Sequence, residues 1–184
     1  MIPDKEQALK IHSKLGSSET VISHCEAVAE IANSLAESFE EKGIPVDSKS
    51  IYAAALLHDI GRNRTHSIKH GYVGAQIALE NGVDEKVAEI ISRHVGAGIT
   101  PEEAPDLGLP PDRSYIPETL EEKIVCFADK VVGPNGQPVP LEVEIEKFKR
   151  KGLDSQRLVR LKASLEEQLG EDPETAIRKK SRNA

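Results

Sequence analysis

Apolar residues recur at helical spacing along almost the whole of this chain. One stripe runs Val21, Cys25, Val28, Ala32, Leu35 and Phe39, in alternating steps of four and three. The one candidate for extended structure, residues 139–145, fits the start of a helix equally well. Aromatic residues make up 3% of the chain and tryptophan is absent, so a core must be built from Ala, Leu, Ile and Val. That palette suits packed helices better than a β-sandwich. At 184 residues the chain is long enough for one domain with a real core and short for two. These features predict an all-α fold, a compact multi-helix bundle with a C-terminal helical extension.

Start and stop signals divide the chain. Helices are expected at about residues 5–14, ending at Gly16, and at 18–42, before Gly43 and Pro45. Asp47 is placed to cap a third helix that runs into His58. Two more are expected at 70–80 and 84–94. Residues 96–118 then carry three Gly and five Pro with no sustained period. A loop of that length inside a compact domain is usually functional, and with Tyr115 and Asp112 it either shapes a pocket, acts as a lid or is a fixed connection. Thr119 and Glu122 form a T-x-x-E capping box that opens the next helix. Helices at about 141–151 and 155–169 follow, with a short one opening at Asp172-Pro173 and a frayed basic end at 178–184. The stripe Leu158, Leu161, Leu165 either covers the core or pairs with a second copy, so a homo-oligomer stays open.

The formal charge of -7 argues against extended contact with a nucleic-acid backbone, so any basic groups that matter must be local. No apolar run reaches membrane-spanning length, and no signal region opens the chain. Cys25 and Cys126 are too few for a disulfide framework and read as small buried hydrophobes. Together these point to a cytoplasmic protein that does not engage a membrane.

The chemistry lies in the histidines. His24, His58 and His94 fall on or at the end of core-facing stripes, as does Asp129. His70 opens a helix, and Asp59 follows His58 directly. His12 reads as a surface residue, and His66 as either a proton donor near the site or a loop residue. One imidazole on an apolar face is usually a hydrogen-bonded core residue. Four of them with two carboxylates, brought in by separate helices, need a common compensating charge, because a buried carboxylate without a partner costs several kcal/mol. A divalent cation supplies it, and helix bundles commonly hold such sites.

The strings His24-Cys25, Leu56-Leu57-His58-Asp59-Ile60-Gly61, His94 and Phe127-Ala128-Asp129 resemble the signature of the HD superfamily of metal-dependent phosphohydrolases. The segment 70–78 is similar to one in bacterial HD-family hydrolases of diadenosine tetraphosphate. The resemblance covers residues 18–132, which become the expected metal-binding core, with 1–17 an N-terminal helix and 133–184 a helical extension of the same domain. It implies one or two divalent ions (Fe, Mn, Co, Ni or Zn), the first held by His24, His58, Asp59 and Asp129, the second by His70 and His94 with Asp59 shared. Asp59, His70, Arg62 and Lys130 are the expected catalytic residues, and the cations next to these positions, Arg62, Lys69, Arg93 and Lys130, the expected substrate-binding ones. Of these, Arg62 and Lys130 are the better phosphate clamps, and Arg64, Lys69 and Arg93 also fit as plain surface charges.

The implied reaction is hydrolysis of a nucleotide or nucleotide-like phosphoester. A divalent ion can lower the pKa of its water to roughly 7 and polarise the phosphoryl group. Dinucleoside polyphosphates, cyclic phosphodiesters and nucleoside monophosphates are the candidate substrates. Two alternatives use the same residues: a dinuclear iron oxygenase, and a non-catalytic module that binds a nucleotide as a regulator.

Overall fold

A computed structural model describes residues 1–183 as nine α-helices joined by turns and short 3₁₀ segments, with no β-strand among the described residues. They are α1 (Lys5–Leu15), α2 (Glu19–Glu41), α3 (Ser48–Leu57), α4 (His70–Glu80), α5 (Glu85–Ser92), α6 (Leu120–Lys130), α7 (Leu141–Arg150), α8 (Gln156–Leu169) and α9 (Pro173–Asn183).

The ends follow the sequence signals closely. Asp4 and Gln7 close a capping box on α1, and Gly16 ends it in the left-handed conformation that glycine adopts most readily. Ser18, Asp47 and Asp84 each accept a backbone N–H at the start of α2, α3 and α5. Thr119 and Glu122 form the expected box on α6. Two expectations fail. The basic end is not frayed over residues 178–182: α9 continues through them, and Lys180 pairs with Glu37 and Glu41 of α2. The expected helix at 84–94 stops at Ser92, so His94 sits in the turn beyond it.

The long helix α2 lies at the centre, packed on α3, α6 and α9. Its stripe of Val28, Ala32, Leu35 and Phe39 is fully buried, as are Ile51, Ala53, Ala54 and Ala55 of α3, the helix packed beside it. Leu158, Leu161 and Leu165 of α8 join the same core, so that stripe covers the bundle within this chain. Segment 96–118 has a small core of its own, where Val95, Ile99, Ala104 and Leu109 surround the buried Tyr115, whose hydroxyl donates to the Pro110 carbonyl at 3.1 Å. Arg157 of α8 fastens this segment by donating to the Gly98 carbonyl at 2.8 Å and pairing with Glu103. It is therefore a held connection rather than an unstructured loop.

Glu174 ties three elements of the C-terminal layer together. One oxygen accepts the Leu141 N–H at 3.1 Å and the other the Lys162 ammonium at 2.6 Å. Glu174→Ala leaves that buried N–H without a partner. It is expected to lower stability by about 1–3 kcal/mol in urea unfolding, with helix content unchanged.

Candidate metal centre

The geometry begins with backbone carbonyls. The His58 Nδ1 lies 2.8 Å from the Ala55 carbonyl oxygen, the His70 Nδ1 2.8 Å from that of Ser67 and the His94 Nδ1 2.7 Å from that of Ile91. A carbonyl only accepts, so each Nδ1 carries the hydrogen and each neutral ring presents an Nε2 lone pair. All three lone pairs turn inward. The His70 and His94 Nε2 atoms stand 3.1 Å apart, and they lie 3.2 and 3.7 Å from Asp59 Oδ1. On the other side His24 Nε2 and His58 Nε2 lie 3.1 and 3.3 Å from Asp129 Oδ1. The His58 approach is not a hydrogen bond: its Nε2, like Asp59 Oδ1 and His24 Nδ1, is buried without a partner.

Two cations orient the carboxylates. Arg62 Nε donates to Asp59 Oδ2 at 2.6 Å, and Lys130 Nζ to Asp129 Oδ2 at 2.5 Å. In each carboxylate the second oxygen is left facing the histidines. Burial raises the pKa of both acids, yet both remain far below the ordinary carboxylate range. Asp129 is held there by the Lys130 charge, by the bond from His24 and by the nearby His58 ring, and Asp59 by His58, His70 and His94. Burial takes His94 down to about 4, while His58 is drawn well above its usual value, against its burial, by Cys25, Asp59 and Asp129.

The result is a buried knot in which acceptors outnumber donors, since His24 Nε2, Arg62 and Lys130 supply donors but the His58 Nε2 and Asp59 Oδ1 atoms receive none. Three ligand sets lie close enough to share an ion: His24, His58 and Asp59; His58, His94 and Asp129; Asp59, His70 and His94. Imidazole nitrogens with fixed tautomers and two ionised carboxylates suit a divalent transition metal, and the partnerless Nε2 and Oδ1 atoms are where one would bind. The donor set fits such an ion. Because the sets overlap pairwise through His58, Asp59 and His94, they fit either one ion or two.

The backbone of α4 approaches the turn after His58 so closely that only glycine fits. A methyl group on Gly61 would collide with the His70 carbonyl oxygen and lie 2.7 Å from the Gly74 nitrogen. Gly61 therefore sets the spacing between Asp59 and His70.

A cleft of about 350 Å³ opens over the cluster, lined by His24, Asp59, Arg62, Asp129 and Lys130, and by Glu144 and Lys147 of α7. Arg62 and Lys130 thus line the cleft, each engaged by a carboxylate. The other expected cations lie elsewhere. Lys69 packs its ammonium beside Gly108. Arg93 points away from His94 to Glu89, Glu118, Glu122 and the Ile116 carbonyl. Arg64 pairs with Glu80 on the surface, and His66 is exposed. His12 is not a surface residue: it is 1% exposed and bonded through both ring nitrogens. Both cysteines are free and buried.

Residues 21–132 match the family model of the HD domain, and the chain belongs to that family. An uncharacterized protein of Methanocaldococcus jannaschii is 51% identical over 146 residues, covering 79% of this chain and 85% of that one. A tRNA (cytidine(56)-2'-O)-methyltransferase of Thermoplasma volcanium is 38% identical over 174 residues, covering 94% of this chain. The chain spans only 49% of that enzyme's length. The HD domain of the L. monocytogenes phosphodiesterase PgpH, in a crystal structure with cyclic-di-AMP, shares the fold at a TM-score of 0.54 and 17% identity, covering 96% of this chain and 97% of that one.

Two outcomes follow from the geometry. Gly61→Ala is expected to lower stability by at least about 3 kcal/mol and to abolish metal binding, because backbone cannot yield as a side chain would. Metal must displace the proton that His58 retains below its raised pKa. Affinity measured against a chelator should therefore fall as pH falls below that value, by about tenfold per pH unit for the one proton released.

Proposed function

We propose that this chain is a metal-dependent phosphohydrolase acting on a nucleotide-like phosphoester. The observation that carries the reading is the acceptor-rich cluster, with His58 Nε2 and Asp59 Oδ1 lacking partners, lying under a cleft whose walls supply Arg62, Lys130 and Lys147. The fold shared with an HD domain seen bound to cyclic-di-AMP supports a phosphate-containing ligand.

When bound, a divalent ion would supply an activated water and charge neutralisation at the phosphoryl group. The chain's own residues do the rest. His24, His58, Asp59 and Asp129 hold the ion, and His70 and His94 with Asp59 hold a second where two bind. Arg62 and Lys130 fix the carboxylates and face the phosphoryl oxygens, joined by Lys147. Asp59 would take the proton of the attacking water only transiently and pass it to solvent, as the water oxygen bonds to phosphorus and the bond to the leaving oxygen breaks. The leaving oxygen takes its proton from solvent.

The methyltransferase relatives are about twice as long as the stretch they share with this chain. Because this chain spans only 49% and 42% of their length, their methyl transfer is not carried over to it.

Protein stripped of metal and reloaded with Mn, Fe(II), Co, Ni or Zn should release product from at least one of three substrate classes: dinucleoside polyphosphates, cyclic phosphodiesters and nucleoside monophosphates. His58→Ala and Asp129→Ala should each lose at least about a hundredfold of that rate. Turnover in none of the combinations would refute the proposal, and oxygen consumption by the iron form without product release would favour the oxygenase.

A further inference from the structure

His12 belongs to α1, outside the residues that match the HD domain, yet it is buried against the end of α3. The last carbonyls of a helix have no partner within it. At the end of α3 two of them are taken by imidazoles. Ala55 receives the His58 Nδ1–H, and Leu56 faces His12 Nε2 at 2.8 Å. Because a carbonyl only accepts, His12 Nε2 is the donor. In the neutral ring Nδ1 then accepts, and its partner at 2.7 Å is the Ser17 hydroxyl. That hydroxyl accepts in turn from Asn63 Nδ2 at 2.7 Å, and the same amide group donates to the Ile60 carbonyl at 3.0 Å.

Every donor and acceptor in this series is fixed. It runs Asn63, Ser17, His12, Leu56, and it closes a loop around the turn that carries His58, Asp59 and Arg62. One end grips the carbonyl two residues before His58, and the other grips the 3₁₀ segment just after Asp59. We propose that His12 is a positioning residue of the metal centre: through Ser17 and Asn63 it holds the turn bearing His58 and Asp59 at the spacing an ion requires. This rests on the metal-binding reading above. It gives α1 a function that packing alone does not explain, since Ala8 and Ile11 already anchor that helix in the core.

The test is Co(II) titration of the full chain, followed by visible absorption, which reports coordination geometry independently of turnover. Gln places an amide N–H close to the position of the imidazole Nε2, so His12→Gln should bind within about threefold of wild type and keep its spectrum. His12→Leu removes the link and should bind about 10–100-fold more weakly with a changed spectrum, the range typical of lost outer-shell partners. Ser17→Ala and Asn63→Ala break the series at its partly exposed end and should shift affinity in the same direction by less. They also keep the test decisive if His12→Leu does not fold. Wild-type affinity and spectrum in Ser17→Ala, Asn63→Ala and any folded His12→Leu would overturn the inference alone. Failure of the wild-type chain to bind Co(II) would remove the metal centre and the inference with it.

Discussion

Three imidazole lone pairs and two carboxylate oxygens face one another across a few ångströms inside the bundle. Such groups repel unless a proton or a metal lies between them, and no donor from the protein is aimed at the His58 Nε2 or Asp59 Oδ1 atoms. Arg62 and Lys130 offset part of the charge, but from the far oxygen of each carboxylate. They leave the inner oxygens to the histidines, Asp59 Oδ1 with no donor at all, and so preserve the need for a cation rather than meet it. A core with this arrangement would be better replaced by apolar side chains if stability were its only purpose.

The bundle serves that arrangement through its backbone. Carbonyls of α3 and α5, and of the turn before α4, each take an Nδ1–H and so choose the tautomer of the ring they hold. Small residues let the helices come close enough for the rings to meet, with Gly61 against α4 and the alanines of α3 against α2. The turn after His94 is drawn tight: Gly96, Ala97 and Gly98 all have positive φ, and for Ala97, at 59°, that conformation costs about 1–2 kcal/mol. The buried Tyr115 cluster and Arg157 hold the segment beyond it in place.

Much of this is legible in the sequence. The helical period locates α2, α3 and α6, and with them His24, His58 and Asp129, because each of these candidate ligands occupies a position that an apolar residue would otherwise fill. Caps fixed the helix ends for the same local reasons. What was lost depends on direction or on distant packing. Arg93 adjoins His94 in sequence, but α5 ends at Ser92, and in the turn that follows Arg93 points toward acidic residues of the outer layer while His94 points into the cluster. His12 carried a signal that was passed over, since Ala8, Ile11 and Leu15 put it on an apolar stripe. Glu144 and Lys147 carried none: only the path of α7 across the cleft brings them there.

Anomalous diffraction from crystals grown with Co(II) would test the central claim most directly. The account predicts a peak inside the cluster, bonded to the His58 Nε2 and to oxygens of Asp59 and Asp129 at about 2.0–2.2 Å. A cluster closed on itself with no peak, or a peak bound only at the surface, would contradict it.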